Sequence, residues 1–113
     1  MSEAAELDGL DDESIHLVAM DRGKVVGTCR LRILGDGAKL ERMAVSQDFR
    51  GIGLGLRLAE ETETEARREG AARMVLHAQV RARGFYEAAG YAASSEDVFL
   101  EEGIEHVRME KEL

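Results

Sequence analysis

The run Met43-Ala44-Val45-Ser46-Gln47-Asp48-Phe49-Arg50-Gly51-Ile52-Gly53-Leu54-Gly55-Leu56 carries the strongest chemical signal in this chain. An apolar segment ends at Val45, a short turn follows, and Gly51, Gly53 and Gly55 alternate just before an amphipathic stretch begins. Residues without a Cβ let a ligand come close to backbone N–H groups. A helix starting at that point directs its unpaired N–H groups and the positive end of its dipole into the same space. The chemistry this suits is anion binding, with phosphate the usual occupant. A P-loop would close on Lys-Ser or Lys-Thr where this chain has Leu56-Arg57, and a dinucleotide fingerprint would need glycine at position 56.

The elements that must position this loop are legible on both sides of it. Ile15 to Met20 and Val25 to Leu34 are rich in β-formers and flank Asp21-Arg22-Gly23-Lys24, a hairpin signal. In the second strand Val25, Gly27, Cys29, Leu31 and Ile33 are expected on one face, with Thr28, Arg30 and Arg32 on the other. Gly35-Asp36-Gly37 turns the chain into Lys39 to Val45, the strand that feeds the loop. Gly53 to Glu69 reads as the main helix: Leu54, Leu58, Thr62 and Ala66 recur every fourth residue, beside Ala59. Glu63–Arg67 and Glu65–Arg68 are expected as ion pairs on its exposed side. Ala72 to Gln79 alternates apolar residues on both faces, the pattern of a central strand. Arg81 to Ala89 is a short helix closed by Gly90, and Ala92 to Leu100 with Ile104 to Lys111 form a last hairpin across Glu101-Glu102-Gly103. The order β-β-β-α-β-α-β-β predicts an α/β (α+β) domain, a mixed and mostly antiparallel sheet with helices packed on it.

Composition narrows the class. At 113 residues the chain holds one domain, and 44 % hydrophobic content excludes a disordered one. No apolar run approaches the ~18 residues of a membrane helix, and the acidic N-terminus does not read as a secretory signal. A cytoplasmic location is the expectation. A net charge of −8 argues against a nucleic-acid surface. Six of the 23 acids (Glu3, Glu6, Asp8, Asp11, Asp12 and Glu13) sit in the first thirteen residues with no base among them. The other 17 face 15 bases. Residues 1–13 therefore read as an acidic flexible lead-in and residues 14–113 as the domain. Cys29, the single cysteine, reads as a buried inert thiol.

Three segments together carry a family resemblance. Arg50-x-x-Gly53-x-Gly55, placed five residues after a strand ending at Val45, resembles the acetyl-CoA loop of the GNAT N-acetyltransferases. Leu76-His77-Ala78-Gln79 followed by Phe85-Tyr86-Glu87 and Gly90-Tyr91 resembles the second signature of that family. Val98 to Met109 resembles the final hairpin of its ElaA-like branch. The resemblance spans residues 7 to 112 in family order. It implies acetyl transfer from acetyl-CoA to a primary amine of a small molecule or protein, without a metal. A non-catalytic acetyl-CoA sensor or accessory subunit is the alternative.

By the same resemblance, the backbone of Met43 and Val45 pairs with the pantetheine arm in a gap between two parallel strands, as an added strand would. Backbone N–H groups of Gly51, Ile52, Gly53, Leu54 and Gly55 hold the pyrophosphate. Arg50 adds charge there or is a surface cation. Tyr86 stands where the family often has a tyrosine beside the leaving sulfur, and a packing role is its alternative. Glu41 is the carboxylate placed to serve as a base, or it is a sheet-face acid paired with Arg30 or Arg32. His77 and His106 lie on strands and titrate in the neutral range if exposed. Gln79 binds an acceptor or caps the next helix, and Glu102-Gly103 makes a turn. Only 14 residues precede Ile15, whereas a typical family domain of about 150 residues places a strand and two helices there, one wall of the acceptor pocket. The acceptor side is therefore expected to be open, to be completed by a second copy in a homodimer, or to be unused.

Overall fold

The computed structural model describes residues 4–11, 14–50 and 53–113. Eight strands form one sheet: β1 (Ala4–Asp11), β2 (Ser14–Asp21), β3 (Lys24–Leu34), β4 (Gly37–Val45), β5 (Arg73–Gln79), β6 (Ala92–Ala93), β7 (Phe99–Glu101) and β8 (Ile104–Glu112). Helix α1 (Leu54–Arg68) joins β4 to β5, and α2 (Arg83–Ala88) follows β5 after one 3-10 turn. The spatial order is β1-β2-β3-β4-β5-β8-β6, with β7 on β8 beside this path. Every pairing is antiparallel except β4 with β5, which α1 must make parallel by crossing over. No helix among the described residues is long and apolar enough to cross a membrane.

Both helices cover the same face. Leu17, Ala19, Cys29, Leu31, Ala38, Leu40, Met74, Leu76, Ala78, Val107 and Met109 point to that side and are buried. Leu58, Ala59, Thr62 and Ala66 of α1 and Tyr86 of α2 close over them. The alternate residues of β2, β3, β4 and β5 (His16, Arg30, Arg32, Lys39, Glu41, His77) lie on a face that no helix covers.

The element order follows the sequence pattern, with four differences. The lead-in expected over residues 1–13 contains β1, whose backbone pairs with β2 from Ala4↔Met20 to Asp8↔His16. An edge offers its N–H and C=O groups to any extended backbone, so this strand needs no apolar alternation to announce it. On β3 a bulge at Val26, between Ala19↔Gly27 and Met20↔Val25, reverses the expected parity: Val26 is buried and Val25 exposed. The single strand expected over Ala92 to Leu100 is two short ones: Ser94 N–H still donates to the Arg108 carbonyl of β8, but the chain then turns on an Asp97 N–H bond to Ser95 Oγ before β7.

The fourth difference lies on α1. Glu65 pairs with Arg68 at 3.2 Å as expected, but Glu63 is buried. Its carboxylate accepts hydrogen bonds from Tyr91 Oη and Lys111 Nζ, each at 2.9 Å. The Lys111 ammonium also donates to the Ala89 carbonyl at 2.9 Å. This pair ties α1 to the last strand and to the end of α2. Deleting one partner of a buried pair strands the other charge, at a cost of about 3–5 kcal/mol. Lys111→Met, which keeps the apolar stem, should therefore lower the urea midpoint substantially. An unchanged midpoint would show that solvent reaches the Glu63 carboxylate.

Candidate active site

The parallel pairing of β4 and β5 lasts for three residues: Ala38↔Met74, Lys39↔Val75 and Leu40↔Leu76. Beyond Leu40 the strands part. The cause is visible in β4, where Arg42 and Met43 together oppose the single residue Cys29 of β3, between Arg30↔Glu41 and Thr28↔Ala44. Arg42 takes the left-handed conformation (φ 57°), so β4 bulges and turns away from β5. From Glu41 to Val45 on one strand, and from His77 to Gln79 on the other, the backbone groups facing the gap have no ladder partner. The gap opens into a cavity of about 640 Å³ whose walls include Glu41, Met43, His77, Gln79, Tyr86 and Glu101.

The helix that starts beside this gap is uncapped. Gly53 is its N-cap at φ 86°, a conformation that strains any L side chain, with nothing within 4 Å of a Cβ placed there. No side chain caps the helix and its first turn has no acid; the first intrahelical bond runs from Arg57 N–H to Gly53 C=O. The N–H groups of Leu54, Gly55 and Leu56 precede that bond and have no partner within the helix. Gly55 has a packing reason of its own, since a Cβ would sit 3.1 Å from Phe85 Cζ and 3.6 Å from Val45 Cγ2. Gly51 and Ile52 lie outside the described residues. The Arg50 guanidinium is turned back on β4, its Nε donating to the Val45 carbonyl at 3.1 Å.

Tyr86, the hydroxyl expected beside the sulfur, is buried against Phe85 and Tyr91 and forms part of the cavity wall. Burial, reinforced by the neighbouring Cys29 thiol, pushes its hydroxyl up to about 12. It therefore stays protonated at neutral pH. Burial likewise raises the Cys29 thiol to about 11, which fits an inert core residue.

Glu41 lines the cavity but is committed to cations. Its Oε1 accepts from Arg30 Nε at 2.9 Å and Nη2 at 2.8 Å, while Oε2 lies 3.3 Å from Lys39 Nζ and 3.5 Å from Arg32 Nη1. Burial works against its charge, yet the hydrogen bonds from Arg30 and Lys39 outweigh it and hold the carboxyl below its usual range. Such a group is a weak proton acceptor, so the geometry favours the sheet-face pairing over the base.

Sequence reasoning passed over Glu101 as part of a turn. The turn exists one residue later, at Glu102 (φ 54°) and Gly103 (φ 77°), while Glu101 ends β7 and reaches His77 Nδ1 at 2.9 Å. Gln79 binds Arg81 Nε through its Oε1, also at 2.9 Å.

Over residues 1–113 the chain matches a family described as an acetyltransferase (GNAT) domain. The chain belongs to the GNAT acetyltransferase family. Its class of activity is acyl-CoA-dependent acetyl transfer. The uncharacterized N-acetyltransferase YjcF of Bacillus subtilis is 39 % identical over 107 residues, 95 % of this chain and 76 % of that protein. An acyl-CoA N-acyltransferase from Pseudomonas aeruginosa superposes with a TM-score of 0.78 at 28 % identity, over 90 % of this chain and 70 % of the other. ElaA of Escherichia coli superposes at 0.79 with 25 % identity, over 92 % and 72 %.

The Glu41 cluster sets a pH dependence of stability. A carboxyl held below its usual value stabilises the fold above the unfolded value, near 4.5, and loses that contribution as pH falls through the folded one. Glu41→Gln should thus lower the thermal midpoint at pH 7, by the equivalent of about 1–3 kcal/mol for charged hydrogen bonds of this kind. The difference from wild type should shrink as pH falls below 4.5 and close once the folded carboxyl is protonated. A difference of equal size at both pH values would mean that packing, not charge, accounts for the loss.

Proposed function

We propose that this GNAT protein transfers the acetyl group of acetyl-CoA to a primary amine, carried by a small molecule or by a protein. The observation that carries the reading is the early parting of β4 and β5 beside an uncapped helix start. An extended pantetheine arm fits the gap as a strand would, pairing with the backbone of Met43 and Val45 on β4 once Arg50 releases the Val45 carbonyl. Its pyrophosphate then falls at the N–H groups of residues 51–55, where the helix dipole favours negative charge. Arg50 is near enough to add a cation once its bond to Val45 is exchanged for the ligand.

With the arm so placed, the thioester lies in the cavity beside Tyr86. Acyl transfer to nitrogen passes through a tetrahedral oxyanion and then expels a thiolate. The Tyr86 hydroxyl, held protonated by burial, donates a hydrogen bond to the sulfur as charge develops there. The helices block one face of the sheet, so the amine arrives from the uncovered face, where Lys39, Glu41 and His77 stand. The acyl-CoA donor and nitrogen acceptor named for the Pseudomonas protein, and the acetyl group named for the family and for YjcF, support the same pair of substrates.

Calorimetric titration with acetyl-CoA tests the donor side. Wild type should bind, and Gly53→Glu should weaken binding tenfold or more by placing a carboxylate at the pyrophosphate position. Acetylpantetheine, which lacks that group, should bind both proteins alike. Equal acetyl-CoA affinity in the two proteins would remove the loop from the site. For Tyr86→Phe, turnover should fall about 10²-fold with acetyl-CoA affinity unchanged, as for the loss of one donor to a developing anion. Full turnover in that variant would leave Tyr86 with packing alone.

A further inference from the structure

We propose that His77 is the base that takes the proton from the acceptor amine, with Glu101 as its positioning residue. The inference rests on the acetyl-transfer reading above and adds the acceptor half of the chemistry to it.

Three residues from three strands meet at the cavity wall. His77 lies on β5, alternates with the buried Leu76 and Ala78, and therefore faces the uncovered side of the sheet. Glu101 comes from β7, its Oε1 2.9 Å from His77 Nδ1 and its Oε2 3.8 Å from His106 Nε2. His106, buried on β8, holds its own ring in place through Nδ1, which donates to the Ile104 carbonyl at 2.7 Å. Phe99 packs its ring against both imidazoles, edge-on to His77 at 4.9 Å and stacked near His106 at 6.0 Å.

The tautomer follows from this geometry. The bond to His77, together with the neighbouring imidazoles and Lys39, holds the Glu101 carboxyl below its usual range despite slight desolvation. An ionised carboxylate only accepts, so His77 Nδ1 carries the hydrogen and donates it. The lone pair of neutral His77 is then on Nε2, which has no hydrogen-bond partner among the described residues. A carboxylate that fixes the tautomer and steadies the imidazolium is the arrangement a general base needs. Glu41, by contrast, has its lone pairs taken by Arg30, Arg32 and Lys39.

Charges of both signs surround His77. Glu101 and Glu102 stand on the hairpin beside it, and on β4 Glu41 is outnumbered by Arg30, Arg32 and Lys39. Arg108, directly opposite on β8, is paired with Glu110 at 2.7 Å, while Arg81 is bonded to the neutral Gln79 and keeps its charge. The charge in direct contact with the imidazole is the Glu101 carboxylate, at 2.9 Å.

The acceptor ammonium gives one proton to His77 Nε2, and its freed lone pair forms the C–N bond at the thioester carbonyl. The C–S bond breaks with its electron pair on sulfur, and the second nitrogen proton ends on that sulfur beside Tyr86. The imidazolium then releases its proton to water at the cavity mouth.

The test is the pH profile of acetyl transfer, measured with wild type, His77→Gln and Glu101→Gln on spermidine, tryptamine and a lysine-containing peptide. Acetyl-CoA binding by each protein serves as the control for folding. Wild type should show an acid limb in kcat that is lost in His77→Gln, together with a 10²- to 10⁴-fold fall in kcat at neutral pH. Glu101→Gln should keep part of the activity but move the limb to lower pH, a shift that a merely structural role would not produce. His77→Gln with wild-type kcat and an unchanged limb overturns the assignment while leaving the acetyl-transfer reading intact. Wild type that binds acetyl-CoA but acetylates none of the three acceptors counts against that reading, and against the assignment with it.

Discussion

The site depends on one constraint, the end of hydrogen bonding between β4 and β5 after Leu40↔Leu76. Parallel neighbours in a sheet normally satisfy each other along their length, and unpaired backbone groups inside a protein are costly. Here Arg42, in the left-handed conformation, inserts an extra residue opposite Cys29 and steers β4 away. Arg50 satisfies the Val45 carbonyl, and the other groups left open on this stretch of β4 are available to water or a ligand. The same divergence joins the two faces of the sheet, so a ligand entering beside α1 is reached from the opposite side by residues of β4 and β5.

The rest of the molecule keeps that opening in place. On the helix face, Leu58, Ala59, Thr62 and Ala66 press α1 against β3 and its neighbours, so the helix start cannot drift from the end of β4. Gly55 lets Phe85 and Val45 close up against the first turn of α1, which joins the loop, α2 and β4 into one packed corner. The buried Glu63–Lys111 pair, with Tyr91, anchors the far half of α1 to the last strand. Across the sheet, the Arg30, Arg32 and Lys39 cluster on Glu41 braces β3 against β4 just before the bulge. Electrostatics on that face thus has two parts: a cationic cluster gathered on Glu41 that holds strands, and the His77–Glu101 pair, in which one imidazole nitrogen has no partner among the described residues.

Much of this was readable along the chain, because it rests on local rules. The alternation in β3 to β5, the four-residue spacing in α1, and the glycines at 51, 53 and 55 each encode their element within a few residues. Gly53 permits the φ of 86° that the helix start takes, and the buried character of Cys29, Leu31 and Leu76 follows from strand parity. The family signature in Arg50 to Gly55 and Phe85 to Tyr91 is local in the same sense. What failed at this level failed where pairing, not pattern, decides. β1 forms because an edge was available to it, and Val26 replaces Val25 in the core because a bulge shifts the register.

The roles of individual charges required the folded molecule. Glu63 and Glu65 look alike on a helix wheel, yet only Glu63 faces a lysine 48 residues away and becomes buried. Glu41 read as a free carboxylate or a paired one, and three cations from two strands decided for pairing. Glu101 read as part of a turn, and its contact with His77 spans 24 residues. Sequence alone determined most of the elements and that glycines lead into the main helix, since those depend on neighbours within a turn or a strand. Tertiary structure decided which acids are spent on cations and which orient an imidazole, since proton affinity depends on charges and solvent brought together from distant parts of the chain.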